Sequence, residues 1–215
     1  MEVVAIVGVG LIGGSFALAL REAGFTGQLL GVSSDRTIAE ALRLGVIDAG
    51  ATLDEACGRA DLVYLAGPIH GILETLPKVA KLVRPGTLVT DAGSTKAQVV
   101  ATAGTMGHGQ FLGGHPMAGK ESRGVGSSEA QLFRGRPYLL TPREPHDVET
   151  TAAREFIGWV ERIGARISVV TPEEHDRFVA HSSHLPQLLS TALSAALAGH
   201  ADRESIAAAA GPGLV

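Results

Sequence analysis

The chain has 215 residues, of which 45% are hydrophobic and 19% are charged, and its formal net charge is −4. This composition is typical of a globular protein with a substantial core and excludes a disordered chain. No basic stripe is present, so nucleic acid is not an expected partner. The single cysteine, Cys57, excludes an intramolecular disulfide framework, and the sequence shows neither a signal-peptide pattern nor a membrane-spanning run. We therefore expect a cytoplasmic protein with no membrane partner.

Short apolar strands alternate with amphipathic helices along the first half of the chain. The predicted strands are Val3–Val7, Gln28–Val32, Leu62–Leu65 and Thr87–Asp91. The helices predicted after them are Gly13–Ala23, Thr37–Leu44, Ile72–Leu82 and Lys96–Met106. Alternation at this spacing predicts βαβ units, and hence a parallel sheet with helices on both faces.

The pattern changes after Gly109. Three further strands are predicted, at Gln110–Gly113, Pro137–Thr141 and Arg166–Val170. One helix, Asp147–Ile163, is predicted before the last of them. At residues 171–176, TPEEHD, Thr171 and Glu174 form a predicted capping box with Pro172 at the first helical position. From there to Gly199 the chain is helical in character and rich in Ala and Leu, with a predicted break at His184–Pro186.

A glycine motif, GVGLIGGS, occupies residues 8–15 and has the order G-x-G-x-x-G. It follows a predicted strand and opens a helix, which is the context that separates a dinucleotide-binding turn from other glycine-rich turns. Gly8 suits the tight turn, Gly10 the approach of a pyrophosphate and Gly13 the close packing of the helix. The predicted cofactor contacts around this turn, including the loop after the third strand, are Gly8, Gly10, Leu11, Ile12, Gly13, Gly67 and Pro68.

The fold class follows from these two observations together. We predict an α/β protein with a Rossmann-type dinucleotide-binding domain at residues 1–170. The beginning of an all-α substrate and dimerisation domain is predicted at residues 171–215.

The choice of dinucleotide is made about 20 residues after the motif, at the end of the second strand. The sequence there is GVSSDR, residues 31–36, and Ser33 stands where an acidic residue would hold a ribose 2′-hydroxyl. Ser34 and Arg36 follow, and a hydroxyl with a cation suits a 2′-phosphate. A shift of the register toward Asp35 would make that residue the ribose acid. The prediction is NADP, with NAD as the alternative.

Two later strand ends carry groups that can do chemistry. TDAGSTK, residues 90–96, brings Ser94 to the ligand side of the sheet, and GGHPMAG, residues 113–119, brings His115 there. Ser94 could instead cap the next helix. A neutral histidine beside a nicotinamide can accept the proton of a hydroxyl while hydride leaves the carbon that bears this hydroxyl. We therefore predict His115 and Ser94 as catalytic residues.

With these motifs in view, the chain resembles the prephenate and arogenate dehydrogenases of tyrosine biosynthesis. The resemblance is carried by GVGLIGGS, TDAGSTK, GGHPMAG, EHD at 174–176, SHLP at 183–186 and the terminal GPG. It implies oxidative decarboxylation of prephenate to 4-hydroxyphenylpyruvate, or of arogenate to tyrosine, with hydride transfer to NAD(P). It also implies that His115 is the base for the ring hydroxyl and that Ser94 orients the histidine and the nicotinamide.

The resemblance further implies a set of substrate-binding residues: Lys120, Glu121, His175, Ser183, His184 and Gln187. Two of these depart from the family. Many members have histidine where this chain has Gln187, and small or hydroxyl residues are common where it has Lys120. A lysine there favours an anionic keto-acid side chain, which suggests prephenate. No metal site is predicted, because His181 and His184 have no acidic or cysteine partner in a recognisable pattern.

Length is the larger departure. Family members continue beyond GPG with an arginine expected to hold the ring carboxylate and with helices that form a dimer, so a homodimer through the C-terminal helices is expected. One alternative is therefore a chain that binds cofactor but is catalytically incomplete. The other is a β-hydroxyacid dehydrogenase type of enzyme, which needs a catalytic lysine in the helical part; no lysine follows Lys120.

Overall fold

A computed structural model describes residues 1–104 and 109–210. The chain divides into two compact units, Met1–Asp176 and a second that begins at Arg177. The predicted helix end at Met106 and the terminal GPG motif lie outside the described residues.

Within the described part of the first unit, eight strands form one sheet in the order β3-β2-β1-β4-β5-β6-β7-β8. The first six strands in chain order pair in parallel, β7 runs antiparallel to β6, and β8 is parallel to β7. The strands are β1 (Val3–Val7), β2 (Gln28–Val32), β3 (Ala49–Gly50), β4 (Leu62–Leu65), β5 (Leu88–Asp91), β6 (Gln110–Pro116), β7 (Pro137–Thr141) and β8 (Arg166–Val169). The predicted Rossmann-type sheet is confirmed.

Helices connect the strands and continue into the second unit. They are α1 (Leu11–Glu22), α2 (Asp35–Arg43), α3 (Leu53–Arg59), α4 (Ile69–Leu82), α5 (Ala97–Ala103), α6 (Thr151–Arg162), α7 (Pro172–Val179), α8 (Leu185–Ala198) and α9 (Arg203–Ala208). A π-helical turn at Ala180–His184 precedes α8, next to the predicted break. Proline is tolerated at the start of α8 because the first N–H groups of a helix have no intrahelical acceptor.

Side-chain caps decide several helix ends. The predicted capping box at the start of α7 is confirmed: the backbone N–H of Glu174 donates to Thr171 Oγ1 over 3.2 Å, and Thr171 N donates to the Glu174 carboxylate over 3.0 Å. The helix predicted from Asp147 begins instead at Thr151, because Thr150 caps it by accepting from Ala153 N. A 3₁₀ turn occupies Pro145–Glu149.

Apolar side chains cover both faces of the sheet, as expected for parallel strands that are buried on both sides. On one face Phe16 of α1 stacks on Tyr64 of β4 with ring centroids 4.1 Å apart. On the other face Cys57 of α3 is fully buried, and burial raises the pKa of its thiol to about 11. Cys57 therefore behaves as a small apolar side chain. Across residues 1–104 and 109–210, no helix combines the length and apolarity needed to cross a membrane.

Candidate active site

The sheet order reverses direction between β1 and β4, and this reversal opens a crevice at the carboxyl ends of the strands. The glycine turn follows β1, and the 66–68 loop follows β4. The TDAGSTK turn follows β5, and His115 lies one residue before the end of β6. Four separate sequence motifs therefore meet at one edge of the sheet.

The three motif glycines meet different neighbours. Gly8 has φ +95°, and a Cβ there would lie 2.9 Å from the backbone nitrogen of Gly67. A Cβ on Gly13 would lie 2.3 Å from the carbonyl oxygen of Gly8, so the start of α1 rests directly on the turn. A Cβ on Gly10 would meet nothing within 4 Å. Gly8 and Gly13 therefore need glycine because a Cβ would collide with the backbone, whereas Gly10 faces open space on the ligand side.

The start of α1, which includes Leu11 and Ile12, is suited to an anion. No side chain caps this helix, and its first turn holds no acidic residue. Its N–H groups and dipole therefore favour a negative group, which neither the cap residue nor the first turn of α1 supplies. Beside the turn lies a pocket of about 130 Å³ whose lining includes Gly8 and Gly67. These residues fit a dinucleotide pyrophosphate.

The ribose-selecting position is defined by the end of β2 at Val32, so that Ser33 is the next residue. Ser34 caps α2 by accepting from Thr37 N over 3.4 Å, and Asp35 is the first residue of that helix. Arg36 is exposed in the first turn. Pro68 stands at the N-cap position of α4, as Ser34 does for α2. The register therefore makes Ser33, rather than Asp35, the residue at the strand end.

The glycines before His115 let β6 lie tightly between its neighbours. A Cβ on Gly114 would stand 2.7 Å from the carbonyl oxygen of Asp91 in β5. A Cβ on Gly113 would stand 2.2 Å from Thr141 Oγ1 in β7. The His115 side chain is 9% exposed, so most of its ring is held inside the protein.

Two histidines and a carboxylate form a chain of hydrogen bonds behind the crevice. His115 Nδ1 lies 2.9 Å from His175 Nε2, and His175 Nδ1 lies 2.8 Å from Asp176 Oδ1. The His175 ring is fully buried. Burial lowers the pKa of His175 and the Lys96 ammonium lowers it too, against the opposing effect of Asp176, so the ring is neutral near pH 7. Both His175 nitrogens are engaged within the protein, so the ring lies behind His115. Its predicted contact with substrate stays a prediction.

Asp176 also joins this chain to the start of α5. Its two carboxylate oxygens accept the backbone N–H groups of Lys96 and Ala97, over 2.6 and 3.0 Å. Burial raises the pKa of Asp176, but these N–H groups and the His175 ring outweigh burial and hold the pKa below its usual value. Asp176 is therefore a carboxylate that caps a helix 80 residues earlier in the chain.

A buried ion pair closes the TDAGSTK turn. The ammonium of Lys96 binds the carboxylate of Asp91, and both side chains are fully buried. The same carboxylate accepts N–H groups from Gly93 and Gly114, over 2.8 and 3.2 Å. Burial lowers the pKa of Lys96, and the neighbouring Asp91 opposes that effect. Ser94 is exposed at the bend that this pair closes. His175 is hydrogen-bonded to His115 and can orient its ring, whereas the predicted orienting role of Ser94 stays a prediction.

The remaining predicted substrate residues lie in two places. Lys120 pairs with Glu129 over 2.6 Å, and Glu121 beside it is exposed. Ser183, His184 and Gln187 lie in the second unit, the first two in the π-helical turn and Gln187 in α8. Their role in substrate binding stays a prediction.

Three charged residues of the site were not among the predicted site residues: Asp91, Lys96 and Asp176. Each lay inside a motif already singled out, TDAGSTK or EHD. The usable signal was position, because an acidic residue that ends an apolar strand must find a partner where it is buried. The identity of that partner was not readable from the spacing.

Sheet order, glycine turn and uncapped helix together define a Rossmann-type nucleotide-binding domain. In agreement, residues 16–169 match the family model for "Prephenate dehydrogenase, nucleotide-binding domain". This match covers more than half of the chain, which therefore belongs to the prephenate dehydrogenase family.

Individual relatives agree with this assignment. The prephenate dehydrogenase of Lactococcus lactis is 34% identical over 197 residues, which cover 90% of this chain and 53% of that protein. The crystal structure of A. aeolicus prephenate dehydrogenase in complex with hydroxyphenyl propionate and NAD+ has a TM-score of 0.81 at 33% identity, covering 92% of this chain and 69% of that one. For Synechocystis arogenate dehydrogenase the TM-score is 0.81 at 35% identity, covering 99% and 76%. The chain spans about half the length of the curated relatives it matches.

Proposed function

We propose that this protein oxidises and decarboxylates a cyclohexadiene, prephenate or arogenate, with a nicotinamide dinucleotide as hydride acceptor. The observation that carries the proposal is His115, held by a second ring at the edge of the sheet that also bears the glycine turn. Family membership supports the substrate class, since solved relatives are named for prephenate and for arogenate.

The chain's own part in the reaction is to position the substrate and to manage one proton. His115 accepts the proton of the ring hydroxyl while hydride leaves the carbon that bears this hydroxyl. The electron pair of the bond to the lost carboxylate then completes the aromatic ring, and the oxygen regains a proton. Aromatisation makes the step favourable, so the protein contributes chiefly orientation and proton acceptance.

The test is to measure reduction of NADP and of NAD by the purified chain, with prephenate and arogenate supplied separately. Turnover with either substrate supports the proposal. Dinucleotide binding without turnover on both substrates would contradict it and favour a chain that binds cofactor only. A higher rate with prephenate would support the suggested role of Lys120, although its pairing with Glu129 reduces the positive charge available to an anionic side chain.

We also propose NADP as the preferred cofactor, because Ser33 stands at the end of β2 and Arg36 is exposed beside it. Arg36→Ala is expected to weaken NADP binding about two- to fivefold, as for loss of one exposed contact to a phosphate, and to leave NAD binding unchanged. The matched control is Arg43→Ala, an exposed arginine in the last turn of the same helix. Titration of each variant with both dinucleotides measures the ratio; an equal loss for both would exclude a 2′-phosphate contact.

A homodimer through α8 is proposed from its apolar stripe. Leucines at helical spacing are 46–67% exposed: Leu185, Leu188, Leu189 and Leu193. Such a stripe is costly in water and is commonly covered by a second subunit. Light scattering is expected to give twice the chain mass, and Leu188→Glu is expected to give the monomer mass. A monomer before substitution would refute this assembly.

A further inference from the structure

The His115 ring can carry its single proton on either nitrogen when it is neutral, and only one of these tautomers leaves Nε2 able to accept. The hydrogen bonds behind the ring bear on this choice. They run from His115 through His175 to Asp176, and the two histidines are separated by 60 residues in the chain.

The choice begins at Asp176. Its carboxylate already accepts two backbone N–H groups at the start of α5, and an ionised carboxylate has no proton to donate. Across the 2.8 Å contact, His175 Nδ1 must therefore carry the hydrogen. The helix terminus at the start of α5 therefore keeps Asp176 as the acceptor in its hydrogen bond with His175.

The tautomer of His175 in turn determines which nitrogen of His115 carries the hydrogen. Because its ring is neutral with the hydrogen on Nδ1, its Nε2 holds a lone pair and can only accept. Across the 2.9 Å contact, His115 Nδ1 must then be the donor. A neutral His115 with its hydrogen on Nδ1 has Nε2 as its acceptor nitrogen.

We infer that His175 and Asp176 are positioning residues that hold His115 in the tautomer with Nε2 as proton acceptor. The charged and titratable groups that act on His175 are Asp176 on its own helix, His115 on β6, Asp91 at the end of β5 and Lys96 before α5. The Lys96 ammonium opposes protonation of His175, and the two carboxylates favour it. What Nε2 does with substrate rests on the proposed function, whereas the tautomer itself does not.

The direct test reads the tautomer without any reaction. Long-range proton–nitrogen correlation spectra of the unaltered chain, at mildly alkaline pH, distinguish protonated from lone-pair ring nitrogens, and the His115 signals are identified by their loss in His115→Asn. The expected result is a protonated Nδ1 and a lone-pair Nε2 on His115. A protonated Nε2 would overturn the inference.

Asp176→Asn supplies the second measurement. Its side chain keeps an oxygen for the α5 N–H groups but can also present N–H to His175, so the single tautomer of His115 is expected to become a mixture. Turnover is expected to fall on the order of ten- to a hundredfold in kcat, with KM little changed, because binding contacts remain. Asp54→Asn, an exposed first-turn aspartate of α3, is the matched control.

The outcomes separate the two proposals. An unchanged tautomer and an unchanged kcat in Asp176→Asn would overturn the inference. If the unaltered chain shows no turnover but His115 carries its proton on Nδ1, the proposed function fails and the tautomer assignment stands.

Discussion

His115→Asn is expected to lower turnover of the cyclohexadiene by about 10²- to 10⁴-fold, the range for loss of a positioned general base. Asparagine is close in size and polar, but it cannot take a proton at neutral pH. His115 lies one residue before the end of β6, away from the glycine turn after β1, so the dissociation constant for the dinucleotide is expected to change little. Steady-state rates together with a dinucleotide titration measure both quantities.

The matched control is His146→Asn, an exposed histidine in the 3₁₀ turn before α6. It is expected to leave both rate and binding unchanged. Retention of more than a tenth of the activity in His115→Asn would contradict assignment of the base, because another group would then be accepting the hydroxyl proton.

Breaking the Lys96–Asp91 pair is expected to have the largest effect on stability. Asp91→Asn leaves the fully buried ammonium without its counter-charge, and Lys96→Met leaves the buried carboxylate with backbone donors alone. Each change is expected to cost about 3–5 kcal/mol of unfolding free energy, because an uncompensated buried charge is poorly tolerated. For a chain of this size that corresponds to a fall of about 6–20 °C in Tm.

The double variant Asp91→Asn/Lys96→Met separates pairing from packing. Because both charges are gone, its loss is expected to be smaller than the sum of the single losses by at least about 1 kcal/mol. Arg134→Met serves as the surface comparison, since the Arg134–Glu22 pair is largely exposed and is expected to contribute less than about 1 kcal/mol. Chemical denaturation measures all four variants, and strictly additive losses would mean that the pair does not couple.

The longer elements of the fold were predictable because their signals are local. The β1, β2, β4 and β7 strands were predicted with the bounds they have, and the glycine turn was placed between β1 and α1. Apolar runs bounded by turn residues, together with helix caps, carry that information within a few residues of the chain. The strand β3 and the helix α3 were missed, and the two residues of β3 are too few to show a pattern.

The sequence by itself determined the doubly wound fold, the nucleotide crevice and the position of His115 at a strand end. Only the tertiary structure decided what stands behind that histidine. His175 is 60 residues from His115, and the helix that Asp176 caps begins about 80 residues earlier in the chain. Which buried polar groups become partners depends on where the strands and helices come together, and spacing along the chain does not encode that. The sequence motifs contain these residues, and the packing of β5, β6, α5 and α7 brings them together in one series of hydrogen bonds.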